Sequence, residues 1–173
     1  MKKFTAFLFV FILMQFSAYA ENPLHVRFMT KGIYVISPDG IKMKYDSIDE
    51  IPDILYSSKI IAYGMAILNY HGVDIILKNG QGIYAAKDPI GQELIISKVE
   101  NSFNGSIHIK FDEFTYGELY PESKISLKYE NSAIISKVLL GNVLMESEGE
   151  IFELCGDETF KFILQEQGEQ DAI

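Results

Sequence analysis

Gly64-Met65-Ala66-Ile67-Leu68-Asn69-Tyr70-His71-Gly72-Val73-Asp74-Ile75-Ile76-Leu77 decides the fold class. Two β-prone runs, Met65 to Tyr70 and Val73 to Leu77, are parted only by His71-Gly72, where glycine accepts the positive φ of a tight turn. Neither run reaches helical length, and both are rich in residues that pack well on a pleated surface.

The same alternation of short runs and turn residues continues on both sides. Downstream come Gly82 to Ala85, Glu93 to Val99, Ser106 to Phe111, Thr115 to Leu119, Ile125 to Tyr129, Ala133 to Leu140 and Val143 to Met145. They are bounded by Asn79-Gly80, Asp88-Pro89-Ile90-Gly91, Asn104-Gly105, Tyr120-Pro121-Glu122-Ser123, Glu130-Asn131-Ser132 and Gly141-Asn142. Upstream, Ile33-Tyr34-Val35-Ile36, the turn Ser37-Pro38-Asp39-Gly40, and Ile41, Met43 and Tyr45 read as a hairpin. Only Asp46 to Leu55 carries a helical signal, a capping box at Ser47-Ile48-Asp49-Glu50, and Pro52 limits it to a turn or two. The fold class predicted is all-β: short antiparallel strands in a repeat-built sandwich, roll or β-solenoid-like stack, with at most one short helix.

A period supports the stack. Ser-Lys followed by a β-branched residue begins at Ser58, Ser97, Ser123 and Ser136, with starts 39, 26 and 13 residues apart. Ile95-Ile96-Ser97-Lys98-Val99 reappears as Ile134-Ile135-Ser136-Lys137-Val138, and Gly64-Met65-Ala66-Ile67-Leu68 parallels Gly105-Ser106-Ile107-His108-Ile109. Two similar halves, near 60–103 and 104–146, are expected to stack and share a core.

The first 20 residues read as a secretory signal: Met1-Lys2-Lys3 is the positive head, Phe4 to Phe16 the apolar stretch and Ala18-Tyr19-Ala20 the cleavage site. That places the mature chain in the periplasm or outside the cell, with no later segment apolar enough to span a bilayer as a helix. The chain carries a charge of −9, and loss of Lys2 and Lys3 takes it to −11. A field of that sign repels phosphate backbones, so nucleic acid is an unfavourable partner. Cys155 is the single cysteine, which rules out an internal disulfide, and its place after Ile151-Phe152-Glu153-Leu154 suggests a buried, inert thiol.

No residue set points to catalysis, a cofactor or a metal. His25, His71 and His108 lack ligand spacing, no GxSxG elbow is present, and Asp112-Glu113 reads as a turn because neighbouring strand residues face opposite ways. Asn79-Gly80-Gln81-Gly82 lacks the GK[ST] of a phosphate loop and reads as a hairpin turn. What remains is recognition: sheet edges that invite a partner strand, and a face lined by Tyr63, Tyr70, Tyr84, Tyr116, Tyr120 and Tyr129.

Residues 105–145 carry a further pattern. Gly105-Ser106-Ile107-His108-Ile109-Lys110-Phe111-Asp112, then Leu119-Tyr120-Pro121-Glu122-Ser123-Lys124-Ile125-Ser126-Leu127, then Val138-Leu139-Leu140-Gly141-Asn142-Val143-Leu144-Met145, resembles the FecR-type periplasmic domain. The family's Asp-Gly-Thr turn stands here as Asp112-Glu113-Phe114-Thr115, and neither a membrane span nor an Arg-Gly-Thr stretch follows. The resemblance implies an all-β extracytoplasmic module used in signal relay, with an envelope or extracellular protein as partner. Four segments result: a signal peptide over 1–20, an N-terminal β-hairpin and short helical turn over 21–58, a repeat-built FecR-like all-β domain over 59–164, and a polar tail over 165–173. The expected function is a non-enzymatic module for protein binding or envelope signal relay. The alternative is a lipid or lipopolysaccharide carrier or bridge of β-jelly-roll type.

Overall fold

The computed structural model describes residues 24–52, 55, 57–88, 93–99 and 105–164. The signal peptide, the polar tail and most of the Asp88-Pro89-Ile90-Gly91 turn lie outside the described residues. Among the described residues the chain forms fifteen strands. They are β1 (Leu24–Met29), β2 (Ile33–Ile36), β3 (Lys42–Tyr45), β4 (Ser58–Ala62), β5 (Ala66–Tyr70), β6 (Val73–Leu77), β7 (Gly82–Lys87) and β8 (Glu93–Lys98), followed by β9 (Ile107–Lys110), β10 (Thr115–Leu119), β11 (Lys124–Glu130), β12 (Ala133–Leu140), β13 (Val143–Ser147), β14 (Glu150–Leu154) and β15 (Thr159–Ile163).

These strands form two antiparallel sheets. The first has the order β1-β5-β6-β9-β10-β13-β14, the second β15-β12-β11-β8-β7-β4-β2-β3. The two orders describe a single meander, creased lengthwise. β6 and β7 act as one long strand divided between the two sheets, as do β4 with β5, β10 with β11, β12 with β13, and β14 with β15, and β8 and β9 are likewise divided between the sheets. Each creased strand pairs on both layers with the one before it and the one after it.

The crease is built by backbone conformation. Every crossing between the sheets holds a residue of positive φ: Gly32, Gly64, Gly80, Gly105, Glu122, Gly141 and Asp157. Pairing persists through it, since Ala62 N–H donates to Gln81 at 2.9 Å, Val99 N–H to Gly82 at 2.9 Å and Asp157 N–H to Val138 at 2.9 Å. Buried polar side chains answer the remaining carbonyls and amides there. Gln81 donates to Ser106 O at 2.9 Å, Lys98 Nζ to Gly105 O at 2.5 Å, and Ser123 Oγ to Asn142 O at 2.7 Å.

On the opposite rim the strands return through hairpins. His71-Gly72, Asn131-Ser132 and Glu148-Gly149 all place two successive residues at positive φ, the type I′ geometry that matches strand twist. Strand alternation then sends Leu68, Ile75, Ile83, Leu94, Ile96, Ile107, Leu127 and Ile134 into one continuous core between the layers. Each fully buried aliphatic side chain contributes about 1.5–3 kcal/mol.

The all-β sandwich matches the expected class, and four local expectations change. The stretches near 60–103 and 104–146 do not form separate stacked units, because they pair side by side within the same two sheets through β6 with β9 and β8 with β11, and β1 to β3 join those sheets through β1 with β5 and β2 with β4. The Ser-Lys period is not a facing period, because Lys98 points inward on β8 whereas Lys137, at the equivalent place on β12, points outward. Asn79-Gly80 forms a crease, not a hairpin, since β6 and β7 belong to different sheets. The helical turn shrinks to a 3-10 turn at Ile48–Glu50, and the Ser47 side chain makes no capping bond. No helix among the described residues is long and apolar enough to cross a membrane.

Candidate functional site

The two ends of the creased meander differ in how their edges are finished. At the N-terminal end, Leu55 is buried, Tyr45 and Ile51 pack against the core, and the 3-10 turn lies against β1. The edge strands there are blunted: β1 slips register between Val26 and Phe28, and β3 carries Lys42 and Lys44.

The C-terminal end shows no register slip among the described residues, and its edge strands carry Glu150 and Glu153 on β14 and Lys161 on β15. β14 pairs only with β13 and β15 only with β12, each straight over five residues. Their outward side chains include Ile151 and Ile163, at 65% and 68% exposure. Their inward side chains, Phe152, Leu154, Phe160 and Phe162, pack against the core and are themselves only partly buried. Phe160 meets Phe111 edge-on at 5.8 Å and Phe152 at 5.9 Å, and Phe162 lies 5.7 Å from Phe111. Among the described residues this end therefore presents two backbone ladders without a strand partner, flanking an aromatic mouth.

The tyrosines do not form one face. Tyr70 is a correction: it is 3% exposed on the inner side of β5, and burial raises its phenol pKa against the pull of backbone hydrogen bonds at Tyr129 and Leu94. Tyr129 stacks on His71 at 4.2 Å, closing the rim between the two layers. Tyr63 sits at an N-terminal crease, edge-on to Tyr34 at 6.3 Å, with Lys31 and Lys44 each 5.6 Å from its ring. Tyr84 faces outward on the second sheet. Tyr116 and Tyr120 share the first sheet's outer side, and Tyr120 is held up in pKa by local desolvation and by the adjacent Glu118 carboxylate.

Glu118 gathers the most polar cluster of the first sheet. Ser106 Oγ donates to it at 3.1 Å, Tyr120 Oη at 3.3 Å, His108 Nδ1 lies 3.5 Å away, and His108 Nε2 is 3.4 Å from Lys78 Nζ. Ser106 is bonded to the carboxylate, not to the imidazole, so the nucleophile-to-base contact of acyl transfer is not made here. Among the described residues no group of three or more His, Cys, Asp and Glu is arranged to hold a metal ion. Cys155 is a second correction, exposed in the turn between β14 and β15, because that turn falls at an open end instead of under the core.

Two features escaped the sequence reading. β15 alternates Thr159-Phe160-Lys161-Phe162-Ile163, a strand signal that was legible but unused. Charge is also divided between the layers: the strands of the second sheet hold nine lysines against Glu93 and Glu130, while those of the first hold five carboxylates against Arg27 and Lys110. All four Ser-Lys pairs lie on or at the start of strands of the second sheet, which is where part of that signal was visible. Comparison with known protein families, curated proteins and solved structures finds no match.

Proposed function

We propose that this chain is a secreted, non-enzymatic FecR-like β-module that binds another protein by strand addition at β14 and β15. The observation that carries the reading is the asymmetry of the ends. One is covered by the 3-10 turn and broken by a register slip, while the other leaves two regularly paired edge strands beside Phe152, Phe160 and Phe162. The backbone ladders supply affinity, and alternate side chains along an added strand would meet Ile151 on one side and the aromatic mouth on the other. The resemblance over 105–145, which spans β9 to β13, supports an extracytoplasmic recognition module, and the leader at 1–20 supports export.

The test uses envelope extract and in-cell crosslinking with three forms of the full chain. Ile151→Lys and Ile163→Lys change exposed positions and should leave the thermal midpoint unchanged, yet abolish the crosslinked partner. Met43→Lys, at the covered end, should keep it. Equal crosslinking by all three forms, or retention of the chain in the cytosol, overturns the proposal. Acyl chains recovered by organic extraction of the purified protein, without a protein partner, would replace it with the lipid-carrier reading.

A further inference from the structure

The outer face of the second sheet has a composition at odds with the rest of the molecule. The whole chain is acidic, at −9, and its carboxylates concentrate in turns, at creases and on the first sheet. On this face, strand registry aligns Lys42, Ile36, Lys59, Tyr84, Ser97 and Lys124 into one row across β3, β2, β4, β7, β8 and β11. With strands about 4.8 Å apart, the row is roughly 24 Å long, and its three lysines are separated by Ile36 and by Tyr84 with Ser97. A neighbouring row runs Ala86, Ile95, Ser126 and Lys137, and a third runs Glu93, Lys128, Ile135 and Lys161.

Local carboxylates compensate only part of this charge. Lys44 pairs with Asp46 at 2.7 Å, Lys128 with Glu130 at 2.8 Å and Lys137 with Asp157 at 3.1 Å. Lys59, Lys124 and Lys161 make no ion pair among the described residues, and Lys42 lies 4.1 Å over the Tyr34 ring. The face is thus cationic at its flanks, with Tyr84, Ala86 and Ile95 between them.

We infer that this face docks the protein on an anionic lipid bilayer. The charges are ammonium groups on flexible stems, which suit scattered headgroup phosphates and not a single bidentate ligand. The apolar side chains between them match the amphipathic boundary beneath those headgroups. A broad sheet face offers multipoint contact to an extended surface, while the acidic first sheet turns away. Each lysine near such a surface contributes about 1 kcal/mol, so the Lys42, Lys59 and Lys124 row together accounts for a partition factor on the order of 100. The Lys42, Lys59 and Lys124 row ends at β11 and does not reach the β14 and β15 edges, so the result here leaves the strand-addition reading to its own test.

Vesicle flotation with the full mature chain tests the inference, using phosphatidylcholine vesicles with and without 30% phosphatidylglycerol. At low salt the protein should float only with the acidic vesicles and release as salt approaches about 0.5 M, where screening is strong. Lys42→Gln, Lys59→Gln and Lys124→Gln combined should lower the bound-to-free ratio about 100-fold with an unchanged far-ultraviolet dichroism spectrum. Lys78→Gln with Lys110→Gln, on or near the first sheet, should change it less than threefold. Absence of flotation, equal flotation with neutral vesicles, equal loss in both variants, or binding to soluble polyglutamate without binding to vesicles overturns it.

Discussion

Replacing Gly141 by Ala separates two costs that a crease imposes. The residue has φ +69°, so any L side chain there is strained by about 1 kcal/mol. An added Cβ would also lie 2.7 Å from Ser123 Oγ and 3.0 Å from Ser123 Cα on the neighbouring crease. Ser123 is buried, and its hydroxyl both donates to Asn142 O at 2.7 Å and accepts from Asn142 N–H at 3.2 Å. Relieving the clash breaks that reciprocal pair, at about 1 kcal/mol for each bond, and shifts β12 against β11. Gly149→Ala is the matched control, because Gly149 has φ +83° and a Cβ there would meet nothing within 4 Å. The backbone strain and the change in the unfolded chain are common to both, so their difference isolates the crease contact at about 2–3 kcal/mol. For a domain of this size that is a melting-temperature gap of roughly 6–10 °C, read by differential scanning calorimetry. Equal losses in the two variants would refute the claim that neighbouring creases are in contact.

Further outcomes follow from the aromatic mouth, the rim and the open end. Phe160→Ala removes half-buried contacts to Phe111 and Phe152, and should lower stability by about 2 kcal/mol; in urea this moves the midpoint by about 1 M, and a shift under 0.2 M would show that the cluster is not formed. Tyr70 has a folded pKa raised above 10.0 by burial, so its stabilising effect is complete below pH 10 and is lost as pH rises through the folded value. Urea unfolding at successive pH values from 9 to 11.5 should show that decline, and Tyr70→Phe should flatten it. The exposed Cys155 thiol should react with iodoacetamide in the native protein within fivefold of its rate in 6 M urea; hundredfold protection would contradict its position.

Much of the architecture was legible because strand residues and turn residues alternate so regularly. His71-Gly72 and Asn131-Ser132 announced hairpins, and β2 with β3 formed where Pro38-Asp39-Gly40 placed a turn. What local sequence does not encode is which turns reverse the chain within a sheet and which carry it to the other layer. Asn79-Gly80 and His71-Gly72 look alike as dipeptides, yet one creases and the other reverses, since the choice depends on pairing with strands far along the chain. The parallel between Gly64 and Gly105 did survive: both glycines sit at creases that lead into the first sheet, through β5 and β9. The candidate site was less legible. Tyrosine count could not reveal that Tyr70 is interior, and edges exist only once the order of strands is known.

That order has a consequence for how the molecule comes apart. Because each creased segment shares its backbone ladders only with its neighbours along both layers, the pairing runs as a linear array from a covered head to an open tail. Losing β14 and β15 together would expose the next segment without disturbing any register behind it. Amide protection should accordingly rise stepwise from the tail inward, so that the region offered to a visitor is also the first to peel away.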